Sequence, residues 1–250
     1  MIDEMGGGAH GAAAAEARRQ PAPDPQFGQD EHTVRRLRFG IGAIGVLLPV
    51  ALPLGNWIFT QFGHQTEILP SSMSSSYYTS TRNVFVGGLC ALGVFLIGYR
   101  FNARDDRFST VAGLFAIGVA LCPTAPRTPT TYQSVIGLVH LSFAGVLLCG
   151  LAMFCISSFR DPAAEARRMA NHAYLGAGVL ILAFLATAVL AGVTHWGDGW
   201  PLTPLYVCES LSVWAFGAAW IAAALQLGKP PAQPAAAPKQ APALPTVQLQ

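Results

Sequence analysis

Residues 74–126 read SSSYYTSTRNVFVGGLCALGVFLIGYRFNARDDRFSTVAGLFAIGVALCPTAP. A hydroxyl-rich segment comes first, and two apolar runs follow that are separated by a short basic turn and ended by prolines. This order is typical of two membrane-spanning helices joined by a short loop. The other long apolar runs of the chain repeat the pattern, so we expect all of them to pack around this hairpin.

The composition indicates lipid as the main solvent of the folded chain. Hydrophobic residues make up 52% of the 250 residues and charged residues 11%, whereas roughly a quarter of an ordinary soluble domain is charged. The arginines form short clusters beside the apolar runs and no extended basic patch. The sequence therefore gives no support to nucleic acid as a partner and predicts contact with membrane lipids.

Six apolar runs are candidates for spanning helices, which need about 20 mostly apolar residues each. The third run is short, so the predicted span either includes residues of the adjoining loop or lies where the bilayer is thinner. In the first run, Pro49 and Pro53 remove backbone donors and predict a kink. The predicted spans are residues 39–59, 83–101, 109–123, 132–158, 173–194 and 203–227. We therefore predict an all-α fold, a polytopic membrane helix bundle with six transmembrane helices over residues 34–227.

The positions of lysine and arginine predict the orientation, because positive residues beside spans stay cytoplasmic. Almost all of them fall on one side, and only Arg82 and Arg127 fall on the other, so both termini are predicted to be cytoplasmic. Residues 1–33, rich in Gly, Ala and Pro, and residues 228–250, rich in Ala, Pro and Gln, predict disordered cytoplasmic tails. Asp3 and Glu4 stand where a secretory signal would carry positive charge, which argues against such a signal.

Three ionisable residues are the candidates for a site on the outer side. At 1.5 Å per residue, His140 lies about 12 Å and Glu209 about 9 Å inside their spans, and Arg82 lies at the mouth of the second span. Two interpretations remain open. In the first, Arg82 and Glu209 form an ion pair and His140 is hydrogen-bonded nearby. In the second, the three surround an outward-facing cavity for a polar head group, a metal or a proton, since charged residues inside membranes often mark functional sites.

Metal binding is an alternative that the residue pattern supports weakly. The outward-facing candidates share no H-x-x-x-H pair, so their spacing does not indicate a site, and no cofactor is predicted; zinc stays open as an alternative. The five cysteines contain no C-x-x-C pair and are predicted to be packing residues, with a Cys122–Cys208 disulfide as the alternative. The candidate metal ligands are His64, His140, His195, Asp198 and Glu209.

The segment SSMSSSYYTSTR, residues 71–82, is here called the lip segment. One interpretation is that Ser80 or Thr81 caps the second span. The other is that its hydroxyl groups and Arg82 bind a lipid phosphate or a sugar. At the opposite end, residues 104–107 (RDDR) are predicted to be a solvated charge cluster near anionic head groups.

Four pieces of sequence carry a resemblance to known proteins: SSSYYTSTRNVFVG, ALCPTAP, GLVHLSFAG and CESLSVWAFGAAW. In this order they resemble a bacterial family of six-helix integral membrane proteins of unknown function. That family is distantly similar in layout to DRAM-like proteins and more loosely to the alkaline ceramidase superfamily. The resemblance implies a multi-pass protein of the bacterial cytoplasmic membrane. It implies motif positions at Pro123, Thr124 and Pro126 besides Arg82, His140 and Glu209, while Cys122 stands where the family pattern has an aromatic residue.

Three functions are therefore under consideration. The leading hypothesis is non-enzymatic: a lipid or small-molecule binding, sensing or scaffold protein that acts through Arg82, His140 and Glu209. The alternative is a membrane-embedded, metal-dependent hydrolase of lipid amides or esters, in which His140 and outer-loop residues hold the metal and Glu209 is the acid/base. The third is a proton-linked transporter in which Glu209 and His140 titrate. A homo-oligomer and protein partners are left open.

Overall fold

The computed structural model describes residues 31–63, 68–126, 128–160 and 168–227. Within them the chain is all-helical and contains no strand, which confirms the all-α part of the predicted fold class. A short 3-10 helix (Ser74–Tyr78) precedes α2, and a π-helical turn (Phe154–Ser158) continues α4. The α-helices are α1 (Glu31–Gln61), α2 (Arg82–Gly98), α3 (Ala103–Leu121), α4 (Thr131–Met153), α5 (Arg168–Thr194) and α6 (Pro204–Gln226). The predicted tails lie outside the described residues, apart from residues 31–33, which begin α1.

Four of these helices are long and apolar enough to cross a membrane, namely α1, α4 with its π-helical turn, α5 and α6. The chain thus has the character of a membrane protein. The α2 helix is apolar but shorter, with 17 residues. The α3 helix begins at Ala103, six residues before the predicted span, because the Asn102 side chain accepts hydrogen bonds from the backbone N–H groups of Arg104 and Asp105.

The predicted solvated cluster at residues 104–107 is wrong in part. These residues form the first turns of α3, where Asp105 is completely buried. Its carboxylate accepts hydrogen bonds from Ser158 Oγ at 2.7 Å and from Asn102 Nδ2 at 3.0 Å. Burial of a polar group is costly unless hydrogen bonds replace those to water, and the π-helical turn supplies one of these donors.

The six helices form a closed ring in which each packs against its neighbours in sequence. The pairs are α1 with α2, α2 with α3, α3 with α4, α4 with α5 and α5 with α6, and the large contact between α1 and α6 closes the ring. The core lies inside the ring, and its largest fully buried side chains include Trp220, Tyr99, Phe154 and Phe216. A ring leaves space at its centre wherever the inward side chains are small or short.

Glycine pairs set two of the helix crossings. A Cβ atom on Gly42 would lie 2.7 Å from the carbonyl oxygen of Gly217, and one on Gly217 would lie 2.8 Å from that of Gly42, so α1 and α6 touch through their backbones. Gly93 and Gly113 have the same reciprocal relation between α2 and α3, at 2.7 and 2.6 Å. Such close approach is the usual reason for small residues between helices in membranes, where lipid offers no hydrophobic drive for helix association.

The α1 helix continues through both of its prolines. Side chains of α6 donate hydrogen bonds to carbonyl groups of α1 near these prolines. Pro53 has no N–H with which to bond the carbonyl group of Pro49, four residues earlier. The hydroxyl group of Tyr206 donates to that oxygen instead, at 3.1 Å. One turn away, the indole N–H of Trp214 donates to the Val46 carbonyl oxygen at 3.0 Å. The sequence of α6 thus supplies donors beside the prolines of α1.

Candidate functional site

The lip segment folds into one end of the helix ring and is largely buried there. Ser76 and Thr81 are fully buried, and Met73 and Ser72 nearly so. Thr81 is the N-cap residue of α2, as one form of the prediction has it, but its side chain makes no capping hydrogen bond. The Thr81 hydroxyl donates to Oδ1 of Asn56 in α1 instead, at 3.0 Å. We call this end of the ring the lip end.

Residues of the first turns of α6 fix the lip segment in place. Thr203 is the N-cap residue of α6, and its hydroxyl group also donates to the Ser71 carbonyl oxygen at 2.6 Å. Six residues further along α6, Oε2 of Glu209 accepts a hydrogen bond from the backbone N–H of Met73 at 2.6 Å. The backbone N–H of Ser74 also bonds to this carboxylate. Glu209 therefore satisfies the donors at the start of the 3-10 helix.

A partly open cavity of about 90 Å³ lies directly beneath the lip segment. Helices α1, α2, α3, α4 and α6 contribute to its wall, and Met73 and Ser74 of the lip segment contribute with them. Since a single water needs roughly 10–15 Å³ by this measure, the volume suits several waters or one slender apolar chain. The wall is apolar except for Ser74 and Glu209, and its apolar members include Leu48, Phe85, Leu89, Leu147, Val213 and Phe216.

The predicted ion pair between Arg82 and Glu209 is not formed. The guanidinium group of Arg82 lies over the ring of Tyr77, with Cζ 4.0 Å from the ring centroid, and Nη2 donates to the Tyr77 hydroxyl oxygen at 2.5 Å. The ion pairs among the described residues are Arg100–Asp106, Arg104–Asp105 and His195–Asp198. Arg82 is exposed and Glu209 is turned inward, so the structure does not bring these two charges together.

His140 is buried in α4, as its position in the span predicts, with 1% of its surface exposed. Its Nδ1 lies 2.6 Å from the carbonyl oxygen of Cys122 at the end of α3. Because a carbonyl oxygen only accepts, Nδ1 carries the proton and Nε2 is an acceptor. Nε2 is buried and has no hydrogen-bond partner. His140 is thus tied to the α3–α4 connection and is not among the residues that line the cavity.

The motif positions lie in this connection as well. The carbonyl oxygen of Thr124 accepts a hydrogen bond from the Tyr78 hydroxyl at 2.6 Å. Partial burial raises the pKa of the Tyr78 hydroxyl. A Cβ atom on Gly137 of α4 would lie 2.8 Å from the backbone nitrogen of Ala125. Residues 122–126, which include Pro123 and Pro126, therefore connect the lip segment to α4 through backbone groups.

The candidate metal ligands are not assembled into a site. His195 and Asp198 form an exposed pair, with Nδ1 and Oδ2 3.0 Å apart, in the turn before α6. His64 lies outside the described residues. In the part of the chain that the structure describes, no three His, Cys, Asp or Glu side chains are placed to hold a metal ion. All five cysteines are free, so the alternative of a Cys122–Cys208 disulfide is not realised.

Sequence reasoning missed a second polar group of residues, at the end of the ring opposite the lip segment. Arg38 is almost fully buried there, whereas the arginines beside the apolar runs predicted only the orientation of the spans. Its Nη2 and Nε donate to the Tyr99 hydroxyl oxygen at 2.7 and 3.0 Å, and Nη1 donates to the Ala223 carbonyl oxygen at 3.3 Å. The rings of Phe101 and Phe159 also face its guanidinium group, with centroids 4.8 and 5.2 Å from Cζ.

The helix period could have revealed this residue. The buried face of α1 includes Val34, Ile41, Gly45 and Leu48, and Arg38 lies on the same face at spacings of three and four residues. Ala223 lies near the C-terminus of α6, where unpaired carbonyl groups carry partial negative charge that favours a cation. Arg38 therefore joins α1, the α2–α3 turn and α6.

A scan against protein-family models and searches of curated proteins and of solved structures found no match to this chain.

Proposed function

We propose that this chain is a multi-pass protein of the bacterial cytoplasmic membrane, with six spanning helices and both termini on the cytoplasmic side. We propose further that it binds a lipid or another small amphiphile, with the apolar part of the ligand in the cavity beneath the lip segment. The lip end is then the outer end of the bundle. Such binding would serve sensing or scaffolding without a chemical step.

The cavity beneath the lip segment is the observation that carries this proposal. Its wall is apolar over most of its surface, and the polar groups are gathered at one end, at Glu209 and Ser74. An apolar pocket with a few polar groups at one place is the usual form of a small-molecule site. On α6 the lining runs from Glu209 to Phe216, which is about 10 Å along the helix axis. A slot of this length suits a single alkyl chain better than a bulky ring system.

The two rival functions have less support among the described residues. A metal-dependent hydrolase needs three ligands and an open position, and the candidate ligands lie apart. A proton-linked transporter of the kind considered needs Glu209 and His140 along one path, whereas His140 bonds to the α3–α4 connection and does not line the cavity. No specific observation favours either of them over amphiphile binding.

The test compares amphiphiles that co-purify with three forms of the protein. In Ala144→Leu the larger side chain enters the cavity wall, whereas in the control Ala183→Leu the same change lies on the exposed face of α5. Each protein is extracted from membranes in mild detergent, and bound amphiphiles are identified by mass spectrometry. We expect one long-chain species to be retained by the wild type and by Ala183→Leu. Ala144→Leu should lose about tenfold or more of it, since overpacking a filled site costs about 1–3 kcal/mol.

Equal retention by all three forms would contradict the proposal, because the species would then be a lipid that covers the whole surface of the bundle. Thermal unfolding of Ala144→Leu in detergent shows separately whether the variant is folded.

A further inference from the structure

The charges around the cavity suggest which head group its ligand carries. Glu209 is the one ionisable residue among those that line the cavity, and Ser74 offers a hydroxyl group beside it. A negatively charged head group here would face the carboxylate in surroundings of low dielectric constant, where repulsion between like charges is strong.

The basic residues that could offset such repulsion are engaged elsewhere. Arg82 lies on the ring of Tyr77 and bonds to its hydroxyl group. Arg38 is bonded to Tyr99 and Ala223 at the opposite end of the ring. Neither residue is among those that line the cavity.

Backbone donors offer no alternative site for an anion. The start of a helix attracts anions through its free N–H groups. At the start of the 3-10 helix, however, the N–H groups of Met73 and Ser74 already donate to Glu209. The protein's own carboxylate occupies the place that a phosphate or a fatty-acid carboxylate would need.

We infer that the cavity selects amphiphiles whose head group donates hydrogen bonds and carries no negative charge, such as long-chain amines and alcohols. A carboxylate has acceptor sites on two oxygens, and the Oε2 bond to Met73 leaves capacity for a donor on the ligand. An ammonium group there forms a charge-assisted hydrogen bond, which is about twice as strong as a neutral one. This inference rests on the proposed function, since it concerns the same cavity.

The experiment measures competition for tritiated decanol on the purified protein in phosphatidylcholine nanodiscs at neutral pH. Decylamine and decanoate, which carry the same alkyl chain, are the competitors. We expect decylamine to displace the tracer at a concentration about tenfold or more below that of decanoate, a difference equivalent to one charge-assisted hydrogen bond.

Two variants show whether Glu209 causes this preference. In Glu209→Gln the ratio of the two competitor concentrations should fall to that expected from membrane partition alone. In the control Glu31→Gln, which makes the same charge change on an exposed residue of α1, it should stay at the wild-type value. Partition of the competitors into the nanodisc is the same for all three proteins, so a difference between them reports on the site.

The possible results separate the inference from the proposed function. Decanoate that competes as well as decylamine on the wild type overturns the inference, and so does an unchanged ratio in a folded Glu209→Gln. Amphiphile binding itself would stand in both cases if Ala144→Leu removes tracer binding. If the wild type binds no tracer, both the inference and the proposed function fail. If Glu209→Gln does not fold, the wild-type ratio is compared with the partition ratio of the two competitors in nanodiscs without protein, and a wild-type ratio no larger than that overturns the inference.

Discussion

Glu209 has a structural task and a candidate binding task in one side chain. The carboxylate bonds to the backbone of Met73 and Ser74, and it also forms part of the cavity wall. Charged groups inside membranes are costly, so such a residue is kept only where it has donors of its own. The donors here come from the backbone of the lip segment and not from a basic side chain.

Replacing Glu209 by Gln should lower the free energy of unfolding by about 1.5–3 kcal/mol, the usual size of a hydrogen bond to a charged group. Arg82→Gln should have a small effect, because Arg82 is exposed. The double variant should show additive losses to within about 0.5 kcal/mol, since the two side chains have no common contact. Thermal unfolding in detergent measures all three. A double variant that is more stable than Glu209→Gln alone would mean that the ion pair exists after all.

Arg38 gives the second prediction at this scale. Arg38→Ala should lower the free energy of unfolding by roughly 3 kcal/mol. The substitution removes the hydrogen bonds that the buried guanidinium group donates and its contacts with the aromatic rings. Arg38→Lys should recover part of the loss, since it keeps the charge but not the fork that bonds to Tyr99. Arg36→Ala, on the exposed face of the same helix, is the control and should change stability by less than about 0.5 kcal/mol. Equal losses of stability in Arg36→Ala and Arg38→Ala would contradict this prediction. Stability would then depend on the positive charge of this segment and not on the contacts of Arg38 with Tyr99 and Ala223.

At the scale of the elements, helix contacts depend on backbone approach at a few glycines. The α1–α6 crossing at Gly42 and Gly217 closes the ring, and the cavity lies within that ring. Close approach of this kind allows only hydrogen at the Cα positions that meet, because any Cβ atom there collides with a carbonyl oxygen.

Gly217→Ala should therefore push α6 away from α1 and lower the unfolding temperature. The added Cβ atom would lie 2.8 Å from backbone oxygen and 2.9 Å from Val46, and overpacking of this kind costs about 1–3 kcal/mol. Gly87→Ala in α2 is the matched control: a Cβ atom there meets nothing within 4 Å, so the change should stabilise the helix by about 0.5–1 kcal/mol. The prediction fails if both substitutions raise the unfolding temperature.

At the scale of the whole molecule, the ring of helices implies a simple path through the membrane. Each helix packs against the next one in the chain, so six spans would alternate in direction and bring the two termini to the same side. The arginine distribution predicts that this side is cytoplasmic, which places the lip end outside.

Cysteine labelling of intact cells tests this orientation. In a background without the native cysteines, Gln61→Cys at the end of α1 should react with an impermeant thiol reagent, whereas Ala103→Cys at the start of α3 should react only after the cells are opened. Both positions are exposed, so access from one side or the other decides the result. The opposite labelling pattern would reverse the topology and place the lip end in the cytoplasm.

Local properties of the chain sufficed for the helical fold and for most helix positions. Runs of apolar residues, the Pro204 start of α6 and the burial of His140 could be predicted because each depends on a short stretch of sequence. The six spans and the orientation stay predictions from the same patterns.

The tertiary structure alone decided which groups the buried polar side chains form hydrogen bonds with. The sequence suggested that Arg82 would reach Glu209, since both were placed on the outer side of the membrane, Arg82 at the mouth of its span and Glu209 deeper. The lip segment folds over this end of the ring, however, and the backbone N–H of Met73 donates to the Glu209 carboxylate. The loop that fills the end of a bundle determines which buried hydrogen bonds form there. The space open to that loop depends in turn on contacts between helices distant in sequence, such as α1 and α6.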